Sequence, residues 1–192
     1  MMYTGRDYER QDLRGKDLRG VNFTACNFRG ADLSGSDLRG ATFIKADLSR
    51  ACLHNVKAQG ADFAGADLTG AYLKGADFTG ANLWFGYLKG VVAKDTLFVD
   101  ANLTGVDVAR GDFLGARFDG AITDRMVNLD AAFFYWYVPS QGGRPHYYPF
   151  PGAMVLTQSQ LGNVSLQENS GLGQARLGYG APLDDFEKVS AE

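Results

Sequence analysis

Residues 60–83 read GADFAGADLTGAYLKGADFTGANL, in which a unit of five residues recurs without interruption. A leucine or phenylalanine stands at the third place after each glycine, at Phe63, Leu68 and every fifth residue after them. Extending this step of five in both directions keeps one frame from Leu13 to Phe118, and 19 of its 22 positions are Leu or Phe. The chain is therefore organised by an internal repeat, and that repeat decides the fold.

The other places of the unit explain how the repeat folds. We call the Leu/Phe position the centre; Ala lies two residues before it in 11 of 22 units, Asp or Asn one before it in 14, and Gly two after it in 14. The small residue and the centre share one face of an extended segment, and the glycine permits a left-handed turn before the next unit. A period of five fits neither a long helix nor a flat strand. Short extended pieces that alternate with turns predict a coil around an apolar axis, which is a β-solenoid.

The consensus A-D-L-x-G resembles the motif of the pentapeptide-repeat family, [STAV]-[DN]-[LF]-[STR]-G, over residues 11–120. The resemblance implies an all-β fold, a right-handed quadrilateral parallel β-helix with four repeats in each coil. In that register the centres form apolar columns, which the smaller Ala58 and Ala93 interrupt. Leu97, one residue before a centre, predicts a distorted coil near residues 91–99.

The composition changes after the repeats, and we predict three segments. Residues 1–120 form the pentapeptide-repeat solenoid, residues 121–137 a capping helix, and residues 138–192 an irregular docking arm rich in Pro, Gly and aromatic residues. The helix is predicted from Thr123 as its N-cap and from apolar residues at Met126, Leu129 and Phe133. A cap is expected because an open solenoid end exposes strand edges and the apolar axis.

Catalysis is not expected from this sequence. The two histidines, His54 and His146, and the two cysteines, Cys26 and Cys52, form no recognisable metal or nucleophile constellation. The 18 aspartates mostly stand one residue before a centre, where turn geometry accounts for them. We therefore predict a protein that is not an enzyme, with no catalytic, cofactor-binding or metal-binding residues.

Aromatic residues point instead to protein partners. Five of them run together from Phe133 to Tyr137, and three more lie among the prolines that follow. Such a segment either folds back and covers the rod or binds a partner, and the sequence does not decide between these two interpretations. The predicted partner-binding residues are Trp84, Trp136, Tyr137, Tyr147, Tyr148 and Phe150.

The predicted function is a non-catalytic scaffold for protein–protein interaction, within a homo-oligomer or a larger assembly such as a virus particle. The alternative comes from the family resemblance: some members mimic a DNA duplex and protect type II topoisomerases such as gyrase. The outward positions Arg14, Arg19, Arg29 and Arg39 argue against that alternative, because a mimic of the phosphate backbone should be acidic throughout. Direct nucleic-acid binding is also not expected, since Asp12, Asp17 and Asp37 are interleaved with these arginines.

Charge and hydropathy set the expected location. The net charge is only −3, and no apolar run approaches the ~18 residues that span a bilayer. The first residues are charged and lack the apolar core of a signal peptide. We expect no membrane association, and a location in the cytoplasm or within an assembled particle.

Overall fold

Residues 3–129 wind into a four-sided rod in the computed structural model, which describes these residues together with residue 132 and the segments 135–138 and 146–149. Parallel bridges join each residue that precedes a centre to the residue 20 positions later, from Asp7↔Asn27 to Asp107↔Val127. One coil is therefore four repeats long, and the resemblance predicted this coil length correctly.

The hydrogen bonds between coils repeat with the same period. The N–H of Leu33 donates to the carbonyl of Cys52 in the next coil at 2.8 Å, and the N–H of Cys52 donates back to Ala31 at 2.8 Å. Within a coil, the N–H of Ala31 donates to Phe28 at 2.9 Å and closes the turn. Every side of the rod is thus a narrow parallel sheet whose strands are single bridges, and the turns form its corners.

The interior is as apolar as the repeat predicts. The small residues and the centres between Phe23 and Phe113 are buried, and phenylalanine rings stack along the axis, as in Phe43 on Phe63, with centroids 4.9 Å apart and planes 3° apart. Ala58 and Ala93 are buried in these columns. The predicted distortion near residues 91–99 is wrong: Val92 bridges Tyr72 and Asp112, and Leu97 bridges Asp77 and Arg117, so both keep the normal register.

The rod continues past the predicted boundary at residue 120. Ile122 and Val127 extend the ladder, with Ile122 N–H donating to Ala101 at 2.8 Å and Val127 N–H to Val106 at 3.0 Å. Thr123 occupies a centre and is buried, instead of capping a helix. A helix does not form here, because the preceding coil supplies hydrogen-bond partners for the backbone. An isolated short helix would be less stable than this ladder.

A β-hairpin occupies part of the remaining chain. Strand β1, Tyr135–Val138, pairs antiparallel with strand β2, His146–Pro149. The capping helix predicted over 121–137 is therefore wrong at all the positions that belong to the rod or to β1. Of the irregular arm predicted over 138–192, the structure describes residue 138 and strand β2, which are regular, while residues 139–145 and 150–192 lie outside the described part of the chain. No helix among the described residues has the length and apolarity to cross a membrane.

Candidate interaction surfaces

Outward side chains of the rod form two columns on each of its four faces, at the residue before each centre and the residue after it. We call one of these four faces the neutral face. The neutral face carries the following outward residues: Asn22, Thr24, Thr42, Ile44, Asp62, Ala64, Asn82, Trp84, Asn102, Thr104, Ile122 and Asp124.

The recurring aspartates have a structural role, as the sequence analysis predicted. In most repeats Oδ1 of the Asp or Asn accepts a hydrogen bond from the backbone N–H two residues later, for example Thr69 N–H to Asp67 Oδ1 at 2.8 Å. This Asx turn fixes the direction in which the chain leaves the side of the rod. The carboxylates are therefore parts of the corners rather than a set of acid–base groups.

Arginines in the first coils are neutralised by these aspartates. Arg14 makes two parallel bonds to Asp12, Nε to Oδ1 at 2.9 Å and Nη2 to Oδ2 at 2.6 Å, and Arg19 binds Asp17 in the same way. The hydrogen bonds from Arg14 and Arg19 lower the pKa of Asp12 and of Asp17 to about 2. Arg14 and Arg19 thus present paired charges, not free cations, to a phosphate backbone.

An NMR titration of the carboxylates tests this pairing. We expect Asp12 and Asp17 to titrate at a pKa of about 2, below the ordinary value of 3.8. Because the folded-state pKa is the lower one, the stabilisation is complete above the unfolded-state value and is lost as the pH falls through about 2. Arg14→Gln should return the pKa of Asp12 towards its ordinary value and leave Asp17 unchanged. An ordinary pKa for Asp12 in the parent protein would contradict the pairing.

Aromatic side chains gather on the outside of one coil. We call this group the aromatic band: Tyr72, Trp84, Phe85 and Tyr87, each between 45% and 49% exposed. Trp84 and Phe85 are in edge contact, with ring centroids 4.6 Å apart. Tyr72 and Tyr87 lie on two other faces at the same level of the rod, so the band surrounds the coil. Exposed aromatic side chains such as the Trp84–Phe85 pair are typical of protein interfaces.

Phe85 adopts an unfavourable backbone conformation in the aromatic band. It occupies the corner position where most repeats have glycine, and its φ is +50°, which a bulky residue rarely adopts. Its ring lies against the glycine of the same corner one coil later: a Cβ at Gly105 would be 2.9 Å from Phe85 Cε1. The sequence LWFGY at residues 83–87 thus departs from the repeat where it places three rings on the surface.

The predicted partner-binding residues fall into two groups. Trp84 is exposed on the rod, as predicted. The hairpin register places Trp136 opposite Tyr148 and Tyr137 opposite Tyr147, so the structure brings these four backbone positions together. Phe150 lies outside the described residues. Their role in binding stays a prediction.

Sequence reasoning missed Tyr72, Phe85 and Tyr87. Their signal was present, because Phe85 breaks the glycine position and Tyr72 and Tyr87 replace Asp or Asn one residue before a centre. Read singly, these are ordinary departures from a consensus. They come to one level of the rod, on different faces, only because four repeats close one coil.

The remaining reactive side chains of the described residues form no metal-binding or catalytic arrangement. Among these residues no three His, Cys, Asp or Glu side chains could hold a metal ion. Cys26 and Cys52 are both free thiols; Cys26 is buried and its Sγ donates to the carbonyl of Tyr3 at 2.7 Å, while Cys52 Sγ lies 2.9 Å from Ser34 Oγ. Each thiol therefore has a hydrogen-bonding partner, and these contacts assign it no chemical role.

Comparison with known proteins agrees with the repeat. A family model described as pentapeptide repeats matches with 8 copies, over residues 9–40, 17–55, 46–84 and 59–92. No curated protein matches the sequence.

Several solved structures are similar. A trypsin-treated variant of QnrB1, a plasmid-mediated fluoroquinolone resistance protein, is 23% identical over 69% of this chain and 78% of that chain, with a TM-score of 0.40. The pentapeptide-repeat protein Rfr23 from the cyanobacterium Cyanothece 51142 is 26% identical over 64% of this chain and 91% of that chain, with a TM-score of 0.36. The protein alr5209 from Nostoc Pcc 7120, also with pentapeptide repeats, is 30% identical over 42% of this chain and 69% of that chain, with a TM-score of 0.38.

Proposed function

Because the chain belongs to the pentapeptide-repeat family and has its right-handed quadrilateral β-helix, we propose that it is a rigid scaffold that binds proteins within a homo-oligomer or a larger assembly. Proteins of this family are generally non-enzymatic scaffolds for protein interaction.

The aromatic band is the observation that carries the proposal. Tyr72, Trp84, Phe85 and Tyr87 lie on one coil, while the outward positions of the first coils are mostly charged or polar. Burial of aromatic side chains at the middle of an interface contributes much of its binding energy. A stiff rod that exposes four aromatic side chains at one level is suited to hold a partner at a fixed height along its axis. The hairpin aromatics Trp136, Tyr137, Tyr147 and Tyr148 offer a second contact in this proposal.

The native size of the protein in an extract of its source tests the proposal. We expect the tagged full-length chain to elute well above its own mass of 20.8 kDa. The double variant Tyr72→Ser/Tyr87→Ser should elute at a smaller size, because it removes two rings of the band that lie off the neutral face. Lys57→Ser, at the equivalent position of another face, is the matched control and should keep the native size. Elution of the parent chain at its own mass would show that it is in no stable assembly.

The charge pattern favours a scaffold over a topoisomerase-protecting DNA mimic. A mimic needs free carboxylates along the rod, but Asp12, Asp17 and Asp37 are each paired with an arginine. We expect no protection of gyrase from a quinolone in a supercoiling assay. Protection at a low micromolar concentration of this chain, near one copy per gyrase, would favour the mimic instead.

A further inference from the structure

The neutral face differs from the other three in its charge. Of its twelve outward positions two are acidic, Asp62 and Asp124, and none is Lys or Arg, whereas each other face carries at least six charged residues. Loss of charged residues, together with exposed aromatic side chains, is the compositional sign of an interface core. Trp84 and Ile122 stand on this face 49% and 48% exposed, and Ile44 and Ala64 are half-buried in the column of Trp84.

We propose that the neutral face binds the neutral face of a second copy of this chain, with the two rods antiparallel. This inference rests on the proposed scaffold function and names the surface through which the scaffold self-associates. A closed dimer needs a surface that is complementary to itself under a two-fold rotation. The distribution of residues along this face meets that requirement.

The complementarity follows from the positions of the residues along the rod. A two-fold axis midway between the coils of Asp62 and Asn82 places Trp84 opposite Ala64 of the second copy, so the largest side chain meets the smallest. The same axis places Asp62 opposite Asn82, an amide that can donate, and Asp124 opposite a threonine. No two carboxylates face each other in this register, so the usual like-charge penalty of a symmetric contact is absent.

Lateral packing also suits the geometry of the face. Successive coils are separated by ~4.8 Å, as strands are in any sheet, so the columns from Asn22 to Ile122 form a long narrow strip. Two such sheets can pack face to face at ~10 Å, with side chains of the two columns interdigitated. A single face is small compared with the ~800 Å² that each partner buries in a standard interface. The dimer should therefore be concentration-dependent.

Sedimentation of the full chain over a range of concentrations tests the surface. We expect a monomer–dimer equilibrium that Ala64→Arg weakens at least tenfold, because it places a bulky cation against Trp84 of the other copy. Thr69→Arg, at the equivalent half-buried position one repeat later on the adjoining face, should change the dissociation constant less than twofold. Circular dichroism and the thermal midpoint establish that both variants fold.

The outcomes separate this inference from the scaffold function. Dimerisation of Ala64→Arg as tight as that of the parent chain overturns the neutral-face dimer, while self-association through another surface keeps the scaffold. A parent chain that stays monomeric at every concentration also overturns the dimer. In that case the native size in the extract still decides independently whether the chain belongs to an assembly.

Crosslinking tests the antiparallel register. In a Cys52→Ser background, a mixture of Thr24→Cys and Asp124→Cys chains should be joined efficiently by a short bismaleimide, because the two-fold axis places these positions opposite each other. Thr24→Cys alone and Asp124→Cys alone should be joined at least fivefold less, because identical positions are then offset by five coils, ~24 Å, along the rods. Equal crosslinking of all three samples contradicts the proposed register.

Discussion

Phe63→Ala should lower the free energy of unfolding by about 3–5 kcal/mol, the range for removal of a large buried ring. Phe63 is fully buried, stacks on Phe43 at 4.9 Å and meets Phe78 edge-on at 5.3 Å. The ladder hydrogen bonds hold neighbouring coils in place, so the cavity cannot close by collapse. Urea unfolding followed by circular dichroism measures the loss.

Thr69→Ala is the matched control for this prediction. Thr69 follows a centre on the outside of the next repeat, and its backbone N–H keeps the hydrogen bond to Asp67 in the variant. We expect a change within about 0.5 kcal/mol. Similar losses for Phe63→Ala and Thr69→Ala would contradict the assignment of inward and outward positions.

Gly105→Ala should be more damaging than a corner substitution in open space, at about 2–5 kcal/mol. The left-handed corner, with φ +69°, costs a residue with a Cβ roughly 1–2 kcal/mol, and the new methyl group also meets the Phe85 ring at 2.9–3.0 Å. Displacement of a ring by overpacking adds roughly 1–3 kcal/mol. The measurement is again the free energy of unfolding in urea.

Gly80→Ala isolates the backbone contribution. Its φ is +66° and a Cβ there would meet nothing within 4 Å, so this variant should lose only the roughly 1–2 kcal/mol of the left-handed conformation. In a Phe85→Gly background, Gly105→Ala should cost as little as Gly80→Ala, because the clash is gone. An unchanged cost in that background would show that the Phe85 ring is not what Gly105 accommodates.

Phe85→Gly on its own tests why the corner keeps a phenylalanine. Glycine relieves the left-handed strain, so we expect the free energy of unfolding to stay the same or to rise by about 1 kcal/mol. The same variant should shift the native assembly in the extract to a smaller size. A residue that costs stability and supports binding is the usual compromise at an interaction site.

The step of five from Leu13 to Phe118 by itself determined the coil, its apolar axis and the inward and outward phases. These are local properties, since each unit carries its own small residue, centre and turn. The same pattern correctly explained Asp67 and its equivalents as turn residues. The outward phase of the repeat also predicted that Trp84, directly after the centre Leu83, is exposed.

Tertiary structure alone decided that the rod continues past residue 120 and which side chains become neighbours. Ile122 and Val127 lack the consensus, yet they pair with Ala101 and Val106 because the preceding coil presents a row of free backbone groups. The prediction of a helix at Thr123 could not include this, since the partners lie 20 residues away in the sequence. For the same reason the aromatic band and the neutral face are invisible in the linear order. Residues such as Trp84 and Ala64 share a surface only because each coil closes after four repeats, and the stacked sheets hold that closure.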